Sequence, residues 1–404
     1  MVPNGWSRSQ IGEIANVQVG RDLIEDRYSE IESERYKYPV YSNTVENRGL
    51  YGFYDFPEYP GNAVTVVGRG VGLGTAFARY ENSAFGAIGR LLVLTPKINS
   101  FDVGFLADYI NFSLIIHNES GGIPQLPGAS LSKYLVTLPP LPEQQKIAKI
   151  LSTWDSAIST TEQLLFNSQQ QKKALMQQLL TGQKRLLDNN GVRFNDSWKQ
   201  IPLSEVIQSL DSGVSVNSVD DEVFSEYFIL KTSCVTSGYF NCFEKKKVID
   251  VNEVKRLKEP LLDDSILISR MNTPLLVGAN AYVEFAPENT FLPDRLWQVK
   301  IRDDRVLMRW LGFWFSSPKT RVALSDLASG TSGSMKNIAK VSVLGMGIKL
   351  PPLQEQKKIA AVLSTADQEV TALQQKLAAL KQEKQALMQQ LLTGKRRVKV
   401  EEAA

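Results

Sequence analysis

Residues 138–155 read LPPLPEQQKIAKILSTWD, and residues 350–367 read LPPLQEQKKIAAVLSTAD. The offset between them is 212 residues, and it is still 212 downstream, where the ALMQQLLTG at Ala174 recurs at Ala386. No residue has been gained or lost between the matching blocks, whereas the sequence ahead of each block is hardly alike in the two halves. The chain therefore consists of two near-identical connectors and two divergent modules. That division suits a protein that varies two reading heads while holding their separation fixed.

Each connector opens on prolines, Pro139, Pro140 and Pro142 in the first and Pro351 and Pro352 in the second. Proline favours extended backbone before it and suits the first turn of a helix. Glu143 and Glu355 follow where the positive end of a helix dipole would lie. Each span closes on LLTG, with Gly182 and Gly394 suited to a left-handed helix cap. Nothing in between breaks a helix, which predicts two helices of about 40 residues, roughly 60 Å each at 1.5 Å per residue.

The apolar period along both spans is seven. In the first connector the seam runs Ile147, Leu151, Trp154, Ile158, Thr161, Leu165, Ser168, Lys172, Leu175 and Leu179. In the second it runs Ile359, Leu363, Ala366, Val370, Leu373, Leu377, Leu380, Lys384, Leu387 and Leu391. A seven-residue seam sustained this long argues for a coiled coil. Chain order makes the two helices antiparallel if they pair with each other, and the molecule pseudo-twofold with a module at each end. Pairing 143 with 394 makes opposed numbers sum to 537. A lone polar residue in such a seam lowers stability but fixes register; Lys172 then stands near Asp367 and Lys384 near Asp155, as two ion pairs of small stabilising effect that reject shifted registers. The expected layout is a module over 1–140, a spacer helix over 141–190, a module over 191–350, and a second spacer helix with its tail over 351–404.

Composition sets the bounds. A chain of 404 residues with 43 % hydrophobic content is ordinary for two or three globular domains. No apolar run approaches the roughly 20 residues needed to span a bilayer, and the opening MVPNGWSRSQ lacks a secretory apolar stretch, so a cytoplasmic protein without a membrane role is expected. Cys234, Cys242 and the single histidine, His117, cannot build a disulfide framework or a typical zinc site, and histidine-based catalysis would rest on His117 alone. The net charge is +3. Lys/Arg against Asp/Glu count 11 to 14 over residues 1–140 and 20 to 19 over 191–350, so neither module has the excess of a stand-alone nucleic-acid binder. Any basic surface must be clustered on one face or shared with a partner.

The modules read as mixed α/β with many short strands, giving an α+β chain. Module one offers strands in 38–41, in AVTVVGRGVGLGTAFARY (63–80) and in 90–96; module two in 227–235, 265–271, 281–287 and 297–301. Each opens on a tryptophan, Trp6 or Trp198, with a short amphipathic helix expected next. GRGVGLG (68–74) is not a dinucleotide loop, because Thr75 stands where the third glycine belongs and strand follows instead of helix. It reads as a glycine turn carrying Arg69. Module two repeats the feature at Arg270, where the strand ILIS ends. Arginine on a loop can grip phosphate or read guanine through two hydrogen bonds. Lys245, Lys246 and Lys247 form the dense basic run, either a solvated face or a set of phosphate contacts. No Walker loop, GxSxG, HExxH, methyltransferase NPPY-type or nuclease signature is found.

The connectors, with PPLxEQxxIAxxLSxxD at one end and LLTG at the other, resemble the conserved regions of type I restriction–modification specificity subunits. The modules resemble that family's target-recognition domains, through YPVYSN (38–43) and VVGRGVG (66–72) in one and ILKTSCVTSGYF (229–240) and SILISR (265–270) in the other. The resemblance implies two recognition domains joined by two long antiparallel coiled-coil helices. It implies a subunit without catalysis, which reads double-stranded DNA in two half-sites spaced by the helices. Two methyltransferase subunits and restriction/translocase subunits would join it, bringing S-adenosylmethionine, Mg and ATP. Arg69, Arg270 and Asn43 would face DNA. The competing class is an adaptor with two protein-binding modules on a coiled-coil rod; a fused enzyme that both modifies and cuts is a third.

Overall fold

The computed structural model describes residues 2–98, 100–220, 224–330 and 335–400. They form two compact units, Met1–Leu164 with Leu373–Ala404, and Leu165–Ala372. The division falls inside each long helix instead of at its ends, because the two halves of a helix pack on different modules.

In the first unit, strand Ser7–Gln10 pairs antiparallel with Leu135–Leu138, so the module closes on itself just before the first long helix. Its main sheet orders Ala15–Val19, Leu92–Pro96, Ala63–Val66 and Ala76–Arg79, all antiparallel. A smaller sheet orders Tyr28–Ser29, Leu50–Tyr54, Tyr38–Tyr41 and Gly86–Ala87. Helix Val103–Ser113 is capped by Asp102, whose carboxylate accepts from Phe105 N. Phe105, Leu106 and Ile110 from that helix meet Val64 and Leu94 of the main sheet in one core, together with Ile147 and Leu151 of the first long helix and Leu391 of the second.

The second unit repeats the plan. Lys199–Pro202 pairs with Gly347–Leu350. The main sheet orders Ile207–Asp211, Leu296–Ile301, Ser265–Ser269 and Asn280–Val283. That is the same sequence of roles as in the first unit: first strand, last strand, then the two strands of a hairpin. Helices Met308–Ser316 and Pro318–Asp326 flank it, the second capped by Ser317. Trp297, Trp310 and Phe315 share a core with Leu179, Ile359 and Leu363 of the long helices.

The expected short helix after each tryptophan is mostly strand. Trp6 leads directly into Ser7–Gln10 with one helical turn behind it, and Trp198 into Lys199–Pro202 with a 3-10 turn. Each run finds a partner strand just ahead of a long helix, and pairing outweighs the local pattern. Within 227–235 only Phe228–Leu230 is strand; Thr232–Val235 winds into a 3-10 turn.

The long helices span Leu141–Leu180, 40 residues, and Leu353–Leu391, 39 residues. Gly182 and Gly394 follow with φ of 74° and 69°, in the left-handed conformation expected of the caps. Leu151, Leu179, Leu363, Val370 and Leu391 are buried, while Trp154, Ile158, Leu165, Lys172, Asp367, Leu377 and Lys384 are half-buried. Most of the positions between them are exposed. In the first unit Asp155 and Glu162 meet Lys384 and Lys381 at 2.6 and 2.7 Å. In the second, Ser168 donates to Glu369 at 2.8 Å and Lys172 pairs with Asp367. One number climbs as the other falls, so the helices are antiparallel within each unit. Ser168 and Glu369 sum to 537, the expected register.

Candidate nucleic-acid interface

Each main sheet sends out a hairpin at the same end. In the first unit it joins Ala63–Val66 to Ala76–Arg79 through residues 67–75. Gly70, Gly72 and Gly74 all have φ of 86°, and a Cβ on Gly74 would come within 2.6 Å of Ile116 Cγ1. A Cβ on Gly72 would collide with Val45 Cγ1. The turn therefore requires glycine for both conformation and space. Main-chain bonds from Gly70 N to Pro124 O and from Leu126 N to Gly68 O, both 2.9 Å, tie its base down. Arg69 stands exposed on this rigid loop.

Asn43 lies beneath. Its Oδ1 accepts from Gly68 N at 2.8 Å, and its Nδ2 donates to the Gly89 carbonyl. Both ends of the amide turn inward, and its place is that of a latch between three loops instead of a projecting side chain. The latch brings Arg90 beside Gly68, and Arg21 and Arg90 line a basin of about 510 Å³ with Asp22 and Gln125. Arg21, Arg48, Arg69 and Arg90 are all exposed, and none forms an ion pair among the described residues. Two further exposed arginines, Arg27 and Arg35, are neutralised by Asp55 at 2.7 and 3.7 Å.

In the second unit Arg270 follows Ser269 at the end of the hairpin's first strand. Its N donates to Arg295 O at 3.0 Å and its carbonyl accepts from Ile338 N at 2.9 Å. Its Nε is buried with no hydrogen-bond partner among the described residues. Arg295 is exposed and immediately precedes the neighbouring strand Leu296–Ile301. Arg270 thus stands opposite Arg295, and in the first unit Arg90 lies against Gly68, the residue before Arg69: in each sheet one arginine follows the hairpin strand as it leaves and one precedes the adjacent strand as it enters. Arg90 and Arg295 went unnoticed in the sequence, because only the strand order relates them.

The lysine run does not form one basic face. Lys245–Lys247 is a strand paired with Phe228–Leu230, so alternate side chains point to opposite sides. Lys245 Nζ sits 4.0 Å above the Phe228 ring, and Lys246 lies 3.2 Å from Asp220, which also holds Lys231 at 2.6 Å. Lys247 exchanges main-chain bonds with Val219.

The connectors carry repeated polar locks. Lys172 donates to Tyr239 OH at 3.0 Å as well as pairing with Asp367, and Arg309 lies 3.6 Å from the same carboxylate. Burial pulls the Lys172 ammonium down, but its bonds to Asp367 and Tyr239 outweigh that and leave it above the ordinary lysine range. Near Lys384 and Asp155 lies Asp108, pushed up to about 6 by burial, with Asp155 adding to the rise and Lys384 opposing it. The sequence reading missed a further pair of locks. Buried Glu355 accepts from Arg185 Nε and Nη2 at 2.6 and 2.7 Å and from Trp198 Nε1 at 2.9 Å. Buried Glu143 accepts from Arg397 Nε and Nη2, both at 2.6 Å. The signal was present, since both members of each pair recur at the offset of 212. Gln144 and Gln356 staple the modules to the helix starts, accepting from Asp102 N and Leu307 N at 2.9 and 2.8 Å.

Among the described residues no group of three or more His, Cys, Asp or Glu could hold a metal ion, and no helix is long and apolar enough to cross a membrane. Cys234 is buried and its thiol pushed up to about 12.

A family profile described as the type I restriction modification DNA specificity domain matches residues 3–166 and again 195–382. Over 391 residues the chain is 24 % identical to the EcoKI specificity subunit of Escherichia coli K12, covering 89 % of this chain and 81 % of that protein. Over 295 residues it is 25 % identical to the MjaVIII specificity subunit of Methanocaldococcus jannaschii, covering 69 % of this chain and 66 %, just under two thirds, of that relative. The solved S subunit of a type I system from M. genitalium shares the fold, with a TM-score of 0.63 at 14 % identity over 97 % of this chain and 99 % of that one.

Proposed function

The chain belongs to the type I restriction modification DNA specificity family, and from that premise we propose that it reads a two-part DNA target, one half-site through each module. It works without catalysis of its own, in the cytoplasm. Two methyltransferase subunits that bind S-adenosylmethionine and methylate adenine dock on it, and restriction subunits using ATP and Mg join them. The observation that supports this reading most is the recurrence of the arginine-bearing hairpin at the same end of the same sheet in both modules, despite their dissimilar sequences. A rigid sheet holding paired arginines at one edge suits base and phosphate contact. The shortage of net positive charge fits a subunit whose partners supply part of the grip on the duplex.

Sequencing the methylome of a host that expresses this chain with its partner methyltransferase tests the proposal. Modified adenines are expected in a single bipartite motif with a gap of fixed length. Absence of sequence-selective methylation, together with no selective DNA shift by the purified complex, would instead favour the adaptor reading.

A further inference from the structure

Eight described residues other than glycine have positive φ, and two of them are arginines of module one, Arg48 at 53° and Arg90 at 69°. Asn47, at 44°, precedes the first. Asparagine tolerates this region because its short side chain bonds locally; arginine has no such compensation. The strain persists because the surroundings enforce it. Arg79, only 5 % exposed, donates from Nη2 to the Arg48 carbonyl at 2.7 Å and from Nε to Thr65 Oγ1 at 3.0 Å. Its guanidinium lies 3.4 Å from the Tyr41 ring centroid, and no carboxylate pairs with it among the described residues. Asn43 holds the peptide before Arg90 in the same manner, through the Gly89 carbonyl. Behind both strained arginines stands an inward-facing group whose hydrogen bond fixes the backbone.

What the fold presents in this way is positive charge that forms no ion pair among the described residues, although Arg48 feels the Asp108 carboxyl nearby. Residues 1–140 hold 11 cationic against 14 acidic side chains. Even so, Arg21, Arg48, Arg69 and Arg90 stay exposed and unpaired around the loops that Asn43 joins. A surface that concentrates cations in a module with no net excess of them is matched to an anion held from outside.

We propose that Arg48 and Arg90 are phosphate contacts to duplex DNA, presented on strained backbone, and that Arg79 is the positioning residue for Arg48. This rests on the DNA-reading function proposed above and adds a division of labour to it. The strained arginines grip the backbone and set the module's orientation, leaving Arg69 to face the bases.

The test uses the complex of the full chain with its methyltransferase subunit, on duplexes carrying the methylome-derived target or a scrambled sequence. Arg48→Gly and Arg90→Gly relieve the strain while removing the cation. Each is expected to melt no lower than the parent, to bind both duplexes more weakly by the same factor, and to reduce the slope of log affinity against log salt by about one. Asn47→Gly relieves strain without removing charge and should leave the slope unchanged. Arg79→Met should lower the slope in the parent but add nothing in an Arg48→Gly background. Should the glycine variants melt lower and keep the parental slope, the arginines serve the fold and the proposal is overturned. Weakening confined to the target duplex would also overturn it, making them base readers. If the parent complex itself shows no sequence preference, the underlying reading fails, a result distinct from both.

Discussion

Lys172 and Lys384 occupy the same position of a repeat kept to the residue, yet their surroundings differ. Lys172 and Asp367 are enclosed by Tyr239 and Arg309, two side chains of module two, and the aspartate side chain is 15 % exposed. The Asp155 that pairs with Lys384 is 55 % exposed, and its neighbour from module one is another acid, Asp108. The same contrast recurs at the helix starts. Glu355 holds an arginine that is 19 % exposed and a tryptophan; Glu143 holds an arginine that is 44 % exposed, while Trp6 Nε1 is buried with no hydrogen-bond partner among the described residues. A near-identical connector is thus anchored into two modules of the same plan but dissimilar sequence by whatever each supplies. The backbone frame is conserved within the chain, and the energetic weight of each lock is set locally.

The largest effect should come from the buried carboxylates. Glu355→Ala takes the carboxylate from Arg185, which keeps the Asp196 carbonyl, and removes the acceptor of Trp198 Nε1; it should destabilise the protein by about 3–5 kcal/mol. Glu143→Ala frees an arginine that water can reach and should cost about 1–2 kcal/mol. Chemical denaturation of the two variants checks the ranking; equal losses would show that burial does not distinguish the locks.

Next come the reading arginines. Arg69→Ala should cost about 1–3 kcal/mol at one position of one half-site, and Arg270→Ala the same in the other. The two modules differ here as well. Arg69 is exposed on a glycine loop, whereas Arg270 is half-buried with an unpartnered Nε, so Arg270→Ala should in addition change stability. Methylome motifs and melting curves of both variants separate the contributions. Uniform weakening on all sequences would make either arginine a phosphate contact.

How much of this could be read from the residues follows from where the information lies. The helices, their caps at Gly182 and Gly394, the seam and the lysine–aspartate pairs are encoded in a period of seven and an offset of 212, both local or exactly repeated. The shared sheet order is encoded in neither. Arg90 and Arg295 become equivalent only once Leu92–Pro96 and Leu296–Ile301 are known to lie beside the hairpins. That strand geometry splits the lysine run, and that Asp220 pairs with Lys246, is not legible locally, because Asp220 is remote in sequence from Lys246. Asn43 sits inside the motif that carries the resemblance, but a motif residue can be kept for bonds to main chain, as its contacts to Gly68 and Gly89 illustrate.

A smaller effect belongs to Asp108 alone. Burial raises its carboxyl from 3.8 to about 6, so folding draws a proton onto it. Stability from this group is greatest below about pH 4 and falls as pH rises toward about 6. Asp108→Asn should therefore stabilise the protein at pH 7 by about 1–2 kcal/mol, after allowing for the solvent at its rim, and have no effect below pH 4. A variant equally stabilised at pH 4 and pH 7 would refute the linkage.

The smallest change in stability, and the finest discrimination between the units, is expected from the seam lysines. Replacing either by Met removes one ion pair but fills an apolar row, so each should shift stability by less than about 1 kcal/mol in either direction. Their pH profiles should differ. Asp367 keeps Arg309 at 3.6 Å when Lys172 is lost, so Lys172→Met should leave the parent's profile between pH 5 and 7.5, including the fall due to Asp108, unchanged. Lys384 is the main cation opposing the rise at Asp108, so Lys384→Met should carry that carboxyl's titration higher and steepen the loss of stability across the same interval. Combining Lys384→Met with Asp108→Asn should abolish this dependence on pH. If the two lysine variants show the same dependence on pH, the asymmetry between the two locks has no energetic consequence.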